Sequence, residues 1–165
     1  MKAVRRLLLI VTVLCTCAGC DHVTKNLARN SLAGTGRISY FGDMFRLQYA
    51  ENPGAFLSMG AAAPESMRFW LLIVFIGIFL AGLLIYLIVS SNNSKPQIIS
   101  LSLVAGGGVS NLFDRICNHG RVIDFMNIGI GPLRTGIFNV ADLAITLGAL
   151  WITVVSIRGD KQPNL

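Results

Sequence analysis

From Phe69 to Val89 the chain runs 21 residues without a charged side chain. A helix of about 20 apolar residues matches the hydrocarbon core of a bilayer, and few soluble folds bury so long a run. Three further apolar stretches have the same character. Leu7–Cys20 is entered from Lys2, Arg5 and Arg6 and ended by Asp21. Ile98–Phe113 is stopped by Asp114 and Arg115, and Phe138–Ile157 holds only Asp142. The first and third of the four stretches reach a bilayer's thickness only by taking in polar residues at their ends. Hydrophobic residues make up 53% of the chain and charged ones 13%, against roughly 25% charged in soluble domains. The expected architecture is an α-helical polytopic membrane protein. It has four transmembrane helices, approximately 5–24, 68–90, 97–115 and 137–157, in a single membrane domain of residues 1–165. A small extramembrane antiparallel β-sheet lobe, 26–67, is expected between the first two helices.

The net charge of +6 does not imply nucleic acid, because Lys and Arg flank the spans instead of clustering on a soluble segment. Lys2, Arg5, Arg6, Lys95, Arg158 and Lys161 place both termini and the 90–97 loop in the cytoplasm by the positive-inside rule. Lys25, Arg29, Arg37, Arg46, Arg68, Arg115, Arg121 and Arg134 then lie on the other side, among seven acids, so orientation rests mainly on the first helix. Cys17-x-x-Cys20 has redox or metal spacing, but in an apolar helix the two read as small buried hydrophobes. Ala18-Gly19-Cys20 resembles a lipobox, with Cys17 where leucine is usual. One reading therefore makes the chain itself a lipoprotein. The residues after Cys20 would then form a three-span membrane protein, however, so an uncleaved first helix is the preferred expectation.

Polar residues gather at one end of the spans. Asp21, Thr24 and Lys25 are spaced i, i+3, i+4, as are Asn111, Asp114 and Arg115, while Asn139 and Asp142 are i, i+3. Each set lies on one helical face, and the cheapest arrangement in lipid turns those faces toward one another. Thr24, Lys25 and Asp114 read equally as end caps and interfacial anchors, and Asn139 as a plain N-cap. Asp142 resists that reading, lying about 6 Å inside its span at about 1.5 Å per residue. Gly106, Gly107 and Gly108 serve either close helix packing or a surface for a lipid chain. In the 26–67 lobe, Phe45–Tyr49 alternates with the period of a half-buried strand. Ile38–Phe41 and Ala55–Met59 are weaker strands, and Asn52-Pro53-Gly54 is a turn. Asn52 serves that turn or, if the sheet covers the polar cluster, holds a peptide backbone.

Asp124 lies in the short polar segment Gly120–Phe125, on the same membrane face as Asp142. Two close carboxylates cannot easily both ionise, so one takes a proton from water while the other donates to a scissile carbonyl. That chemistry needs no metal and no cofactor. His22 and His119 have no zinc-ligand spacing, and there is neither a Gly-x-Ser-x-Gly motif nor a Ser-Lys pair on one helix face. On pattern alone, a membrane hydrolase with an aspartate pair and an ion or proton transporter using Asp142 stand level.

Five motifs in order resemble lipoprotein signal peptidase, or signal peptidase II, a bacterial membrane aspartic protease. Asp21-His-Val-Thr24-Lys25 resembles its Asp-x-x-Thr-Lys motif, and Glu51-Asn52-Pro53-Gly54-Ala55-Phe56 its Asn-x-Gly box. Gly106-Gly107-Gly108-Val-Ser-Asn111-Leu-Phe-Asp114-Arg115 resembles its Gly-Gly-x-x-x-Asn-x-x-Asp-Arg motif. Gly120-Arg-Val-Ile-Asp124-Phe125 and Phe138-Asn139-Val-Ala141-Asp142 resemble its two catalytic boxes. The resemblance spans Asp21 to about Trp151, with residues 116–119 slightly long. It implies catalytic Asp124 and Asp142, with Asn52, Asn111, Arg115 and Asn139 holding and orienting the substrate. Asp21, Lys25 and Asp114 would give structural support. The implied substrate is a diacylglyceryl-modified prolipoprotein, cut before its lipidated cysteine. The expected setting is the bacterial inner membrane, with the site near the periplasmic face of a lipid-embedded monomer. Globomycin-like cyclic peptides are the expected inhibitors.

Overall fold

The computed structural model describes residues 3–90 and 92–159. Lys2 and Lys161, which bear on orientation, lie outside them, as does the side chain of Arg158. The first helix is Ala3–Leu32, the second Glu65–Val89 with a π-helical stretch at Phe69–Phe75, the third Lys95–Cys117 and the fourth Val140–Gly159. Strands β1 (Arg37–Tyr40), β2 (Phe45–Asn52), β3 (Val122–Ile130) and β4 (Leu133–Arg134) form one antiparallel sheet in that order. Among the described residues three helices, the first, second and fourth, are long and apolar enough to cross a membrane.

The third helix, 23 residues long, packs against each of the other three and buries Ser100, Ser102, Ser110, Asn111, Asp114 and Arg115 at the centre of the bundle. Its consecutive glycines each face a different neighbour, as a turn of about 100° per residue requires. A Cβ on Gly106 would stand 3.0 Å from Cys17 Cβ on the first helix. On Gly107 it would meet the Ala141 carbonyl of the fourth helix at 2.4 Å, and on Gly108 the Leu80 side chain of the second at 2.6 Å. The glycines are thus a three-way packing node, and Gly108 also borders the central cavity. Cys17 is buried, in line with its reading as a small hydrophobe, whereas Cys20 is exposed because it lies on the outward face of the first helix. Away from the sheet, Ile10, Leu87, Ile98 and Ala105 form an apolar core. Buried Arg6 donates from its guanidinium to the Leu87 carbonyl, placing a cation at the C-terminal end of the second helix, where the helix dipole favours it. Ser94 and Gln97 close a capping box on the third helix.

Three expectations change at the sheet end. The first helix continues beyond residue 24 because Ala28 and Leu32, one turn apart, are buried against Phe125 of β3. It stops at Gly34, whose φ of 82° suits glycine. The sheet is not built from residues 26–67 alone, since half of its strands come from Val122–Arg134, and the segment carrying Asp124 is β3. Ala55–Met59 is no strand. The Asn52 Oδ1 accepts the Gly54 N–H at 2.8 Å, an Asx turn. Ala55 N–H then donates to the Met59 carbonyl at 2.8 Å, folding the chain back on itself through a single 3₁₀ turn at Phe56–Ser58.

Candidate active site

Asp124 enters the site from β3, opposite Ala50 of β2, and Asp142 from the first turn of the fourth helix. Both are buried, and both line one cavity of about 470 Å³. Asn52, Asn111 and Arg115 share that lining, and the apolar wall is Leu72, Ile76, Ile145 and Leu150.

Asn139 joins the two carboxylates. Its backbone N–H donates to Asp142 Oδ2 at 3.2 Å, and its Oδ1 accepts the Asp142 N–H at 2.9 Å. That is a reciprocal helix cap. Its Nδ2 meanwhile donates to Asp124 Oδ1 at 2.6 Å, so Asn139 is a cap and a bridge at once. The second Asp124 oxygen accepts Asn52 Nδ2 at 2.9 Å, and Asp142 Oδ1 accepts Asn111 Nδ2 at 2.9 Å. Burial, and after it the charge of Asp142, push the Asp124 carboxyl up to about 7; the Asn52 and Asn139 amides and Lys25 oppose that rise. Arg115 donates from Nη2 to the Gly54 carbonyl at 2.7 Å, pinning the Asn52-Pro53-Gly54 turn against the third helix. Its buried Nε has no partner among the described residues.

Beneath the pair lies a second polar tier. Lys25 Nζ is 2.5 Å from Asp21 Oδ2 and 2.8 Å from Asp114 Oδ2. Asp21 accepts the Ala141 N–H at 2.8 Å and the Ser110 hydroxyl at 2.7 Å. Asp114 accepts the Ile123 N–H at 3.3 Å. Thr24 stays outside, its hydroxyl bonded to the Cys20 and Asp21 carbonyls of its own helix. Ser110 is a member of this tier that the motifs do not single out. Its spacing from Gly107 and Asp114, i+3 and i−4 on one helical face, is the signal that could have found it.

A buried carboxylate pair at one end of a membrane-spanning bundle defines a class of membrane protein that handles protons or activates water. The comparisons with known proteins narrow the class. The family model described as signal peptidase (SPase) II matches residues 13–158. A lipoprotein signal peptidase of Sphingopyxis alaskensis is 38% identical over 155 residues, covering 88% of this chain and 87% of its own. One from Syntrophus aciditrophicus is 38% identical over 121 residues, covering 73% and 74%. One from Chlorobium phaeovibrioides is 36% identical over 145 residues, covering 82% of each. A solved bacterial membrane enzyme shares the fold with a TM-score of 0.76 at 22% identity, over 98% of this chain and 93% of that one. A second gives 0.68, again at 22% identity, over 92% and 91%. The chain belongs to the signal peptidase II family, membrane-integral proteases of signal-peptide processing.

Proposed function

We propose that the chain is an aspartic endopeptidase acting on diacylglyceryl-modified prolipoproteins, and that it cuts before the lipidated cysteine using Asp124 and Asp142. The observation that carries this reading is the sharing of one cavity by two buried carboxylates that Asn139 ties together. A pair in such surroundings holds a single proton between its members. Asp124, pushed up to about 7, takes the part of the acid in this reading, and Asp142 that of the base. Asp142 takes a proton from water, the water oxygen attacks the scissile carbonyl carbon, and Asp124 protonates the carbonyl oxygen. Collapse of the tetrahedral diol then returns a proton to the leaving amine and frees both fragments. The unpartnered Arg115 Nε and the Asn52 turn are suited to holding the substrate backbone, and the apolar wall of the cavity to the lipid chains.

Four membrane crossings and cytoplasmic termini belong to the same proposal. So do a first helix retained through Ala18-Gly19-Cys20, a site at the periplasmic face of the bacterial inner membrane, a working monomer and inhibition by globomycin-like peptides. The central position of the third helix supports a fourth crossing, since a span enclosed by its neighbours need not be apolar on every face.

The test is incubation of the purified full chain in lipid with a diacylglyceryl-modified prolipoprotein, read by mass spectrometry. Cleavage before the modified cysteine is expected from the wild type. Asp124→Asn and Asp142→Asn should be folded and lose at least about a thousandfold in rate. An uncut substrate together with Asp142-dependent ion flux in proteoliposomes would instead make the chain a transporter.

A further inference from the structure

Lys25 touches neither aspartate of the pair and does not line the cavity, yet its side chain is 1% exposed and every one of its protons is used. It donates to Asp21, to Asp114 and, at 2.9 Å, to Asn111 Oδ1. An ammonium has three donors and no acceptor, so the Asn111 atom facing it has to be the oxygen. The Asn139 amide presses the same choice, donating to that oxygen at 3.1 Å. The Asn111 Nδ2 is thereby turned toward Asp142. A flipped Asn111 would set its NH₂ against two donors and its oxygen against a carboxylate. The acids on the other two protons have a matching role: Asp21 holds the N–H of Ala141 and Asp114 that of Ile123. Each is the residue immediately before a member of the pair, so one ammonium links both mounts.

We propose that Lys25 is a positioning residue that sets the protonation of the Asp124–Asp142 pair. It fixes Asn111 with its amide N–H toward Asp142 and ties together the two acids that hold the backbone beside each aspartate. This rests on the aspartic reading above. The charged and titratable groups facing the cluster are Cys17, Asp21 and His22 from the first helix, Asp114 and Arg115 from the third, Asp124 from β3 and Asp142 from the fourth. Only His22 among them is substantially exposed, 3.9 Å from Asp114. Lys25 is thus, with Arg115, one of two buried cations among the described residues placed to favour ionised carboxylates on both sides. Its loss removes that bias and frees the Asn111 amide, and both changes make the pair hold its protons to higher pH.

The experiment is the pH dependence of kcat and KM between about pH 5 and 9 for the lipid-reconstituted full chain, comparing wild type, Lys25→Met and Lys25→Arg. Lys25→Met is expected to leave KM within about twofold while lowering kcat at least about tenfold. Its profile should move upward by about one pH unit. Lys25→Arg keeps the charge and should return the profile toward its wild-type position. Should Lys25→Met fail to fold, Lys25→Gln, which removes the charge and keeps a hydrogen-bond donor, is read by the same upward movement of the profile. A slower enzyme whose profile has not moved would make Lys25 structural only and overturn the inference. If Asp124→Asn or Asp142→Asn stays active, the aspartic reading itself has failed, whatever Lys25 does.

Discussion

The two ends of the helical bundle are held by opposite kinds of force. At the end away from the sheet, Ile10, Leu87, Ile98 and Ala105 meet through non-directional apolar contact, with Arg6 on a helix C-terminus as a polar clamp. At the sheet end, Asp21, Lys25, Asn52, Ser110, Asn111, Asp114, Asp124, Asn139 and Asp142 are all buried and joined by directional bonds. Apolar packing tolerates repacking of similar volume, whereas a buried polar network fails when one partner is lost, because the others are stranded. The contrast teaches where function is sited: polar groups in a bundle of this kind are worth their desolvation only where chemistry uses them.

Arg115→Ala should break the polar end most severely among the residues around the pair. The Asn52-Pro53-Gly54 turn loses its anchor and the cavity loses a donor, so cleavage should fall about a hundredfold with the fold retained by circular dichroism. Gly107→Ala tests the boundary between the two regimes. Its new methyl would meet the Ala141 carbonyl, next to Asp142, so a loss of about tenfold or more in kcat is expected from the shifted helix. Gly82→Ala has open space around it and should be silent in the same assay.

The effect of pH sharpens the comparison further. The Asp124 carboxyl is held near 7, above its unfolded value of about 3.9. Its proton is therefore present at low pH, and activity that needs this acid is lost as pH rises through about 7, up to about tenfold per unit above it. The same sign applies to stability. The contribution from keeping Asp124 protonated is full below about pH 4 and is lost as pH rises to about 7, which denaturation series at about pH 4 and 8 would register. The smallest effect on chemistry belongs to Leu87→Ala. A fully buried side chain at the apolar end is truncated, lowering stability by about 2 kcal/mol while kcat per folded molecule stays at the wild-type value. A loss of kcat there would show that the two ends are coupled.

Much of the bundle was legible in the sequence because the bilayer imposes length and charge rules that act locally. The charge-free run Phe69–Val89 needs no tertiary information to be read as a helix long enough to cross. The i, i+3, i+4 sets on three helices likewise showed which faces would seek one another. Less legible was everything that depends on pairing distant segments. Asp124 sits in a strand because β3 pairs with β2, which lies on the far side of the second and third helices in the chain. The Ala55–Met59 segment failed as a strand because the Asx turn at Asn52 folds it back.

The amino-acid sequence by itself therefore determined the set of apolar helices, the end at which polarity collects and the candidate carboxylates, since helical period and hydropathy are properties of neighbouring residues. Tertiary structure alone decided the rest. It sent three adjacent glycines to three different helices, gave Lys25 its acceptors Asn111 and Asp114 on the third helix, and made Asn139 both a cap and a bridge between Asp124 and Asp142. The physical reason is that a hydrogen bond demands a partner at about 3 Å and in line, and only the folded chain brings partners from separate elements to that distance.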